Sequence, residues 1–203
     1  PEGARLLHLT GITFALGDGA AETALAALRL AKAAGWRVSF DLNYRAKLWS
    51  PAAAQATCEQ VMREADVLFI ARRDAHRVCE VDTDLSPAAM LDAMSQRYPQ
   101  ALLVMTMGGD GAIARNQAGN VVHQPVFQAE EVSRIGGGDA FSAGFLYGYL
   151  HDGDDANPIA RALRWGAAVA ALKYTITGDI PLIEYEEARR LVDEGDTGYR
   201  LQR

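Results

Sequence analysis

An α/β fold, with a mostly parallel sheet and an antiparallel hairpin at its edge, is what this sequence predicts. Three observations carry the prediction. Short apolar runs alternate with longer stretches of helical periodicity, the rhythm of βαβ units. Several of those runs are continuous rather than alternating, as in strands covered on both faces. The rhythm then breaks once, over residues 111–124, where two short alternating segments flank Asn116-Gln117-Ala118-Gly119.

The elements follow in order. Leu6 to Thr10 reads as a short buried strand. It opens so near the start that the first part of the natural domain is expected to lie outside this chain. Gly11 and Gly17-Asp18-Gly19 precede a helix over about Ala20 to Ala34, with Ala24, Leu25, Leu28 and Ala31 at helical spacing and Gly35 as its terminator. Arg37 to Asp41 is the next strand. Ser50-Pro51 marks a helix start, a capping hydroxyl before a proline at the first helical position, and that helix runs to about Glu64. Asp66 to Ile70 is a continuous apolar strand, followed by a short helix near Asp74 to Glu80. Ser86-Pro87 opens a further helix ending near Tyr98, and Ala101 to Thr106 is another buried strand. Residues 111–115 and 120–124 form the hairpin. Helices are then expected from the glycine-rich stretch to about His151, over Ala156 to Tyr174, and over Glu184 to Glu194.

Composition bounds the function. The 203 residues, 49% hydrophobic and 23% charged, suit one globular domain, residues 1–203, with a sizeable core. A net charge of -6 without any basic run argues against a nucleic-acid partner. There is no long uncharged apolar stretch and no signal-peptide pattern, so neither a membrane partner nor export is expected. Cys58 and Cys79 have no metal-ligand spacing around them and read as buried or half-buried thiols of a cytoplasmic protein. His8, His76, His123 and His151 are scattered and pair with no acid or cysteine at ligand spacing.

Three clusters could carry chemistry, and in parallel sheets ligands sit outside the carboxyl ends of the strands. The first is Arg134 to Phe145, where Gly136-Gly137-Gly138 run into Asp139 and a helix begins. Glycines allow close backbone approach, and a helix start offers unpaired N–H groups and a positive dipole end, so the stretch suits an anion. Asp139 would repel that anion unless it faces a hydroxyl that must lose its proton. Taken alone, the same residues also fit a loop ending in an ordinary capped helix. The second cluster, Asp41-Leu42-Asn43-Tyr44-Arg45 with Trp49, could hold a polyol and clamp a carboxylate or phosphate through Arg45; it equally suits a turn with a surface arginine. The third, Thr106-Met107-Gly108-Gly109-Asp110-Gly111, could admit a nucleotide phosphate or simply turn into the hairpin. No Walker loop is present, the glycine stretch does not fit a dinucleotide fingerprint, and Ser142 lies in no nucleophile elbow.

The order DLNYRAKLW, MTMGGDGA, RIGGGDAFSAGFLYGYL resembles the carboxy-terminal two-thirds of PfkB-family (ribokinase-like) carbohydrate kinases, and within them 2-keto-3-deoxygluconate kinases most. Fructokinases share a similar Asn-x-Arg-x-x-Leu-Trp loop. The resemblance implies a ribokinase-like three-layer α/β/α fold, here without the amino-terminal part and the β lid that covers the sugar. It implies ATP-dependent phosphorylation of a sugar or sugar acid, with Asp139 as general base and the amides of Gly136, Gly137 and Gly138 around the transferring phosphoryl group. Thr106, Gly108, Gly109 and Gly111 would line the ATP phosphates and ribose, and Ala168, Ala171 and Leu172 would wall the adenine. Asn43, Arg45, Asp139 and Asp179 would meet the sugar, Mg²⁺ would arrive with ATP, and a second copy of the chain is a candidate partner. The chain departs from the family where an Asn-x-x-Glu sequence usually helps place magnesium. It reads Ala71-Arg72-Arg73-Asp74, leaving Asp74 as a candidate metal contact and Arg72 or Arg73 as a candidate phosphate contact. The alternatives implied are another PfkB sugar kinase, or an inactive nucleotide- or sugar-binding remnant.

Overall fold

The computed structural model describes residues 3–151 and 157–195. Six strands form one mixed sheet in the order β1 (Leu6–Thr10), β2 (Arg37–Asp41), β3 (Val67–Ala71), β4 (Leu102–Thr106), β5 (Ala112–Arg115), β6 (Val121–Gln124). The first four are parallel. Their register aligns Leu9, Phe40, Leu68 and Leu103 in one buried row across the sheet. Connections 107–111 and 116–120 are too short for a crossover, so β5 and β6 join as the antiparallel part.

Two compact units are distinguished: Pro1–Thr106 with Ala114–Val121, and Met107–Ile113 with Val122–Arg203. In the first, α1 (Gly11–Ala15) and α2 (Asp18–Ala33) link β1 to β2. α3 (Pro51–Glu64) links β2 to β3, and α4 (Arg72–Cys79) and α5 (Pro87–Arg97) link β3 to β4. Val38, Ser39 and Phe40 are all fully buried, so β2 is covered on both faces, as its apolar run implied. The helix signals work locally as expected. Ser50 accepts from the Ala53 amide and Ser86 from the Ala89 amide, each cap contributing about 1 kcal/mol. Gly35, at φ 71°, closes α2: its own amide and that of Trp36 reach back to the carbonyls of Lys32 and Ala31.

The second unit holds α6 (Gly137–Leu150), α7 (Pro158–Tyr174) and α8 (Tyr185–Glu194). α6 and α7 approach closely because small residues face each other. A methyl group on Gly144 would come 2.6 Å from the Trp165 carbonyl, and one on Gly166 2.9 Å from the Phe141 ring. Beneath them Phe127, Trp165, Ala168, Ala171, Leu172, Ala188 and Val192 form the core of this unit.

Three expectations need correction. β1 is not buried throughout: Leu9 alone is, because the strand stands first in the sheet order and pairs with β2. α2 starts at Asp18, ahead of Ala20, and is preceded by the short helix α1, which begins at Gly11 and had not been expected. α4 starts at Arg72, ahead of Asp74, which places Asp74 in its first turn. The expected start of the penultimate helix at Ala156 lies outside the described residues. Among the described residues no helix is long and apolar enough to cross a membrane.

Candidate active site

The glycine stretch and its helix lie in the second unit. Gly136 is the N-cap residue of α6 and takes the left-handed conformation, φ 78°, which residues with a Cβ adopt only under strain. The space its side chain would occupy is filled by the backbone carbonyl of Asp179. The Gly137 amide donates to the Arg134 carbonyl at 3.2 Å, closing the turn that launches the helix. A Cβ on Gly137 would run into the Tyr174 ring. Gly138 differs from both: it is exposed, and a Cβ there would meet nothing within 4 Å. Asp139, also exposed, follows in the same first turn, where the dipole favours its charge. Helix geometry leaves the first amides without intrahelical acceptors, so this end can receive an anion, with a carboxylate beside it.

The stretch is braced from the far end of α7. The Tyr174 carbonyl accepts from the amides of Val132 at 2.8 Å and Ser133 at 3.1 Å. The described structure therefore brings Gly136, Gly137, Tyr174 and Asp179 together. Ala168, Ala171 and Leu172 instead point into the core with Phe127 and α8, since they form the buried stripe of α7.

Thr106 ends β4. The turn that follows is tied by the Met107 amide to the Gly111 carbonyl at 2.8 Å and by the Gly111 amide to the Gly108 carbonyl at 3.1 Å. Gly108 and Gly109 are exposed at its tip. Across this turn the His123 ring meets the Asp110 carbonyl through Nε2 at 2.9 Å.

In the first unit, the ends of β1, β2 and β3 shape the Asp41–Arg45 loop. Asn43 has φ 42°, a conformation Asn tolerates better than most residues, and its amide donates to Asp41 Oδ1 at 3.0 Å. Its Nδ2 reaches Thr10 Oγ1 at 3.3 Å, and the Leu42 amide bonds the Phe69 carbonyl at 3.1 Å. Gly11 is required here, because the Leu42 carbonyl fills the place of its side chain. Tyr44 is buried, its hydroxyl donating to the Trp49 carbonyl at 3.0 Å, while Arg45 is exposed. The turn reading and the ligand reading of this loop are thus compatible: Asp41 and Asn43 build a turn that leaves the guanidinium outside.

Asp74 is 3% exposed, and its Oδ1 has no hydrogen-bond partner. Arg73 Nε lies 3.5 Å from that oxygen as an ion pair. Burial pushes the Asp74 carboxyl above its usual range, against the pull of Arg73, Arg77 and Arg45. Among the described residues no three acids, histidines or cysteines gather to hold a metal. Asp74 fits one auxiliary part: a buried acceptor with an open lone pair can receive a hydrogen bond from a metal-bound water, but cannot cage an ion. Ala71, the N-cap residue, leaves α4 without a side-chain cap.

The remaining candidates have local partners. His8 bonds Ser39, His76 the Val81 carbonyl and His151 the Tyr147 carbonyl. Burial pushes the Cys58 thiol up to about 12, with Cys79 adding to the rise, and burial takes Cys79 to about 11, so neither resembles an activated nucleophile. Residues that sequence reasoning missed are Tyr174 and its neighbours. Their only signal was a tyrosine and a lysine breaking an Ala/Leu run at the end of a helix.

Residues 2–184 match the family described as pfkB family carbohydrate kinase. The 2-dehydro-3-deoxygalactonokinase of Haloferax volcanii is 40% identical over 197 residues, 97% of this chain and 60% of that protein. The 2-dehydro-3-deoxygluconokinase of Thermotoga maritima superposes with a TM-score of 0.79 at 27% identity, over 94% of this chain and 60% of its own. A double mutant of Vibrio cholerae fructokinase, in its fructose-, ADP- and potassium-bound form, gives 0.81 at 25% identity, over 95% of this chain and 62% of its own. The chain thus spans about 60% of the length of these relatives.

Proposed function

This chain belongs to the pfkB family of carbohydrate kinases, and from that premise we propose that its natural protein transfers the γ-phosphoryl group of ATP to a sugar hydroxyl in the cytoplasm. The acceptor we assign is 2-keto-3-deoxygluconate, giving the 6-phosphate. The 40% identity to a kinase named for the galacto epimer makes that epimer the acceptor to test beside it.

The observation that carries the reading is the first turn of α6, where Gly138 and Asp139 stand exposed side by side with Gly136 braced behind them. Asp139 takes the proton of the attacking hydroxyl. That oxygen bonds to the γ-phosphorus as the bond to the bridging oxygen breaks, and ADP leaves. Backbone amides at the start of α6 hold the phosphoryl oxygens, stabilising charge where it develops. With Gly137 bonded to Arg134, this duty falls on Gly136, Gly138 and the dipole of the helix. The 106–111 turn offers Thr106 and the backbone of Gly108, Gly109 and Gly111 to the nucleotide. Asn43 and Arg45 recognise the sugar, the Arg45 guanidinium donating to the carboxylate of the sugar acid, and Asp179 borders the glycines. Magnesium bound to the ATP phosphates would neutralise their charge, with Asp74 accepting from one of its waters.

The test is ADP release by the full natural protein against a panel of 2-keto-3-deoxygluconate, its galacto epimer, fructose and ribose. Highest kcat/KM for a 2-keto-3-deoxy sugar acid is expected; preference for fructose would favour the fructokinase reading. ATP binding without turnover on any sugar would overturn the kinase assignment. Asp139→Asn should lower kcat by about 10²–10⁴-fold with little change in ATP affinity. Near-normal turnover in that variant would leave Asp139 as a cap only.

A further inference from the structure

Lys173 is the one lysine of α7, in its last turn, and it is fully buried. Lysine is rarely interior without a partner, and an apolar residue of similar volume would usually serve stability as well or better. The partner here is a backbone carbonyl beyond the helix end: Nζ donates to the Ile176 oxygen at 3.1 Å. Two further bonds fold the same turn. Thr175 Oγ1 donates back to the Leu172 carbonyl at 2.8 Å, and the Ile176 amide to the Lys173 carbonyl at 3.1 Å. A cation at this end also complements the negative pole of the helix.

What this turn holds is the glycine stretch. Tyr174, next to Lys173, receives the Val132 and Ser133 amides on its carbonyl and lies with its ring against Gly137. Asp179, at the other end of the turn, presses its carbonyl against Gly136. The segment leading into α6 is therefore gripped at both ends of residues 174–179, and Lys173 pins the middle of that span from inside. We infer that Lys173 is a positioning residue, whose buried ammonium locks the 174–179 turn through the Ile176 carbonyl and so fixes the backbone of Gly136, Gly137 and Gly138. The inference rests on assigning that backbone to the phosphoryl group. It does not put Lys173 in contact with substrate. An apolar side chain of the same length fills the space but cannot hold the carbonyl.

Lys173→Met and Lys173→Gln in the full natural protein test this in two ways. Hydrogen exchange at the amides of Val132, Ser133 and Gly137, each bonded in the native structure, reports the brace without reference to activity. Exchange there should speed up by about tenfold in Lys173→Met and less in Lys173→Gln, which keeps a donor, with the amides of β2 and β3 unchanged. In kinetics, kcat should fall by about 10–100-fold while the KM for ATP moves little, because the misplaced amides matter most to the transition state. The thermal midpoint of Lys173→Met should hold or rise; a merely structural lysine would leave both kcat per folded molecule and exchange at the three amides unchanged. Should Lys173→Met fail to fold, Lys173→Gln carries the comparison. Unchanged exchange at the three amides in a folded variant overturns the inference, whatever the turnover. Absence of sugar phosphorylation by the wild-type protein would overturn the kinase assignment, and the exchange readout would still stand.

Discussion

Replacing Gly138 by alanine should make the protein more stable and less active. A glycine in a helix is less stable than alanine by about 0.5–1 kcal/mol, and a first-turn position earns the lower end of that range. The new methyl meets nothing within 4 Å, so no packing penalty offsets the gain. For a domain of this size about 0.5 kcal/mol raises Tm by about 1–2 °C. Activity moves the other way. Helical Cα–Cβ bonds tilt toward the N-terminus, so the methyl projects into the space from which a phosphoryl group would reach the Gly138 amide. Losing one such donor costs about 10²–10³ in kcat, which bounds the effect from above, and a tenfold loss is the smallest that a displaced phosphoryl oxygen would leave. Thermal melting and ADP release on the same preparation read the two effects together. Gly137→Ala is the control of opposite sign: its methyl enters the Tyr174 ring, and overpacking of that kind costs about 1–3 kcal/mol. A Gly138→Ala protein with wild-type kcat/KM would refute the reasoning, because no ligand would then come close to that carbon.

Arg45→Ala should raise KM for a 2-keto-3-deoxy sugar acid by about 10–100-fold, the worth of a charged hydrogen bond, and KM for a neutral sugar far less; equal effects in steady-state kinetics would remove Arg45 from carboxylate recognition. A second expectation concerns acid stability. Burial alone would raise the Glu59 carboxyl. The paired hydrogen bonds from Arg97, at 3.1 and 2.7 Å, with Tyr98 and Arg63 behind them, more than reverse this and hold it below its usual 4.5. A depressed carboxyl contributes stability above its unfolded value and loses it as pH falls through the folded one. Glu59→Gln should therefore be less stable than wild type by at most about 1 kcal/mol at pH 7, solvent screening the pair, with the difference shrinking below about pH 4.5. Urea unfolding midpoints between pH 3 and 7 measure it, and two parallel curves would contradict it.

What the sequence reveals depends on how far each signal reaches. β2 runs over the expected residues, and Ser50-Pro51, Ser86-Pro87 and Gly35 do what their chemistry suggests, because each acts within a few residues of itself. α1 escapes notice because five residues carry no periodicity, and Gly11 exists for a carbonyl at Leu42. Lys173 escapes for a related reason: a lysine in a helix is expected to face water, and only the fold reveals that it turns inward toward Ile176. The glycine triplet shows the limit most clearly. As letters the three are equivalent, and the family resemblance implied one shared task at a phosphate. In the fold Gly136 answers to the Asp179 carbonyl and Gly137 to the Tyr174 ring, both contributed by a turn about 40 residues downstream. Among the described residues nothing comes within 4 Å of a Cβ at Gly138. On the proposed reading, a residue that weakens its helix and relieves no contact among the described residues leaves room for a ligand. A phosphoryl group approaching the start of α6 would be that ligand, and the activity of Gly138→Ala decides between it and an ordinary capped helix.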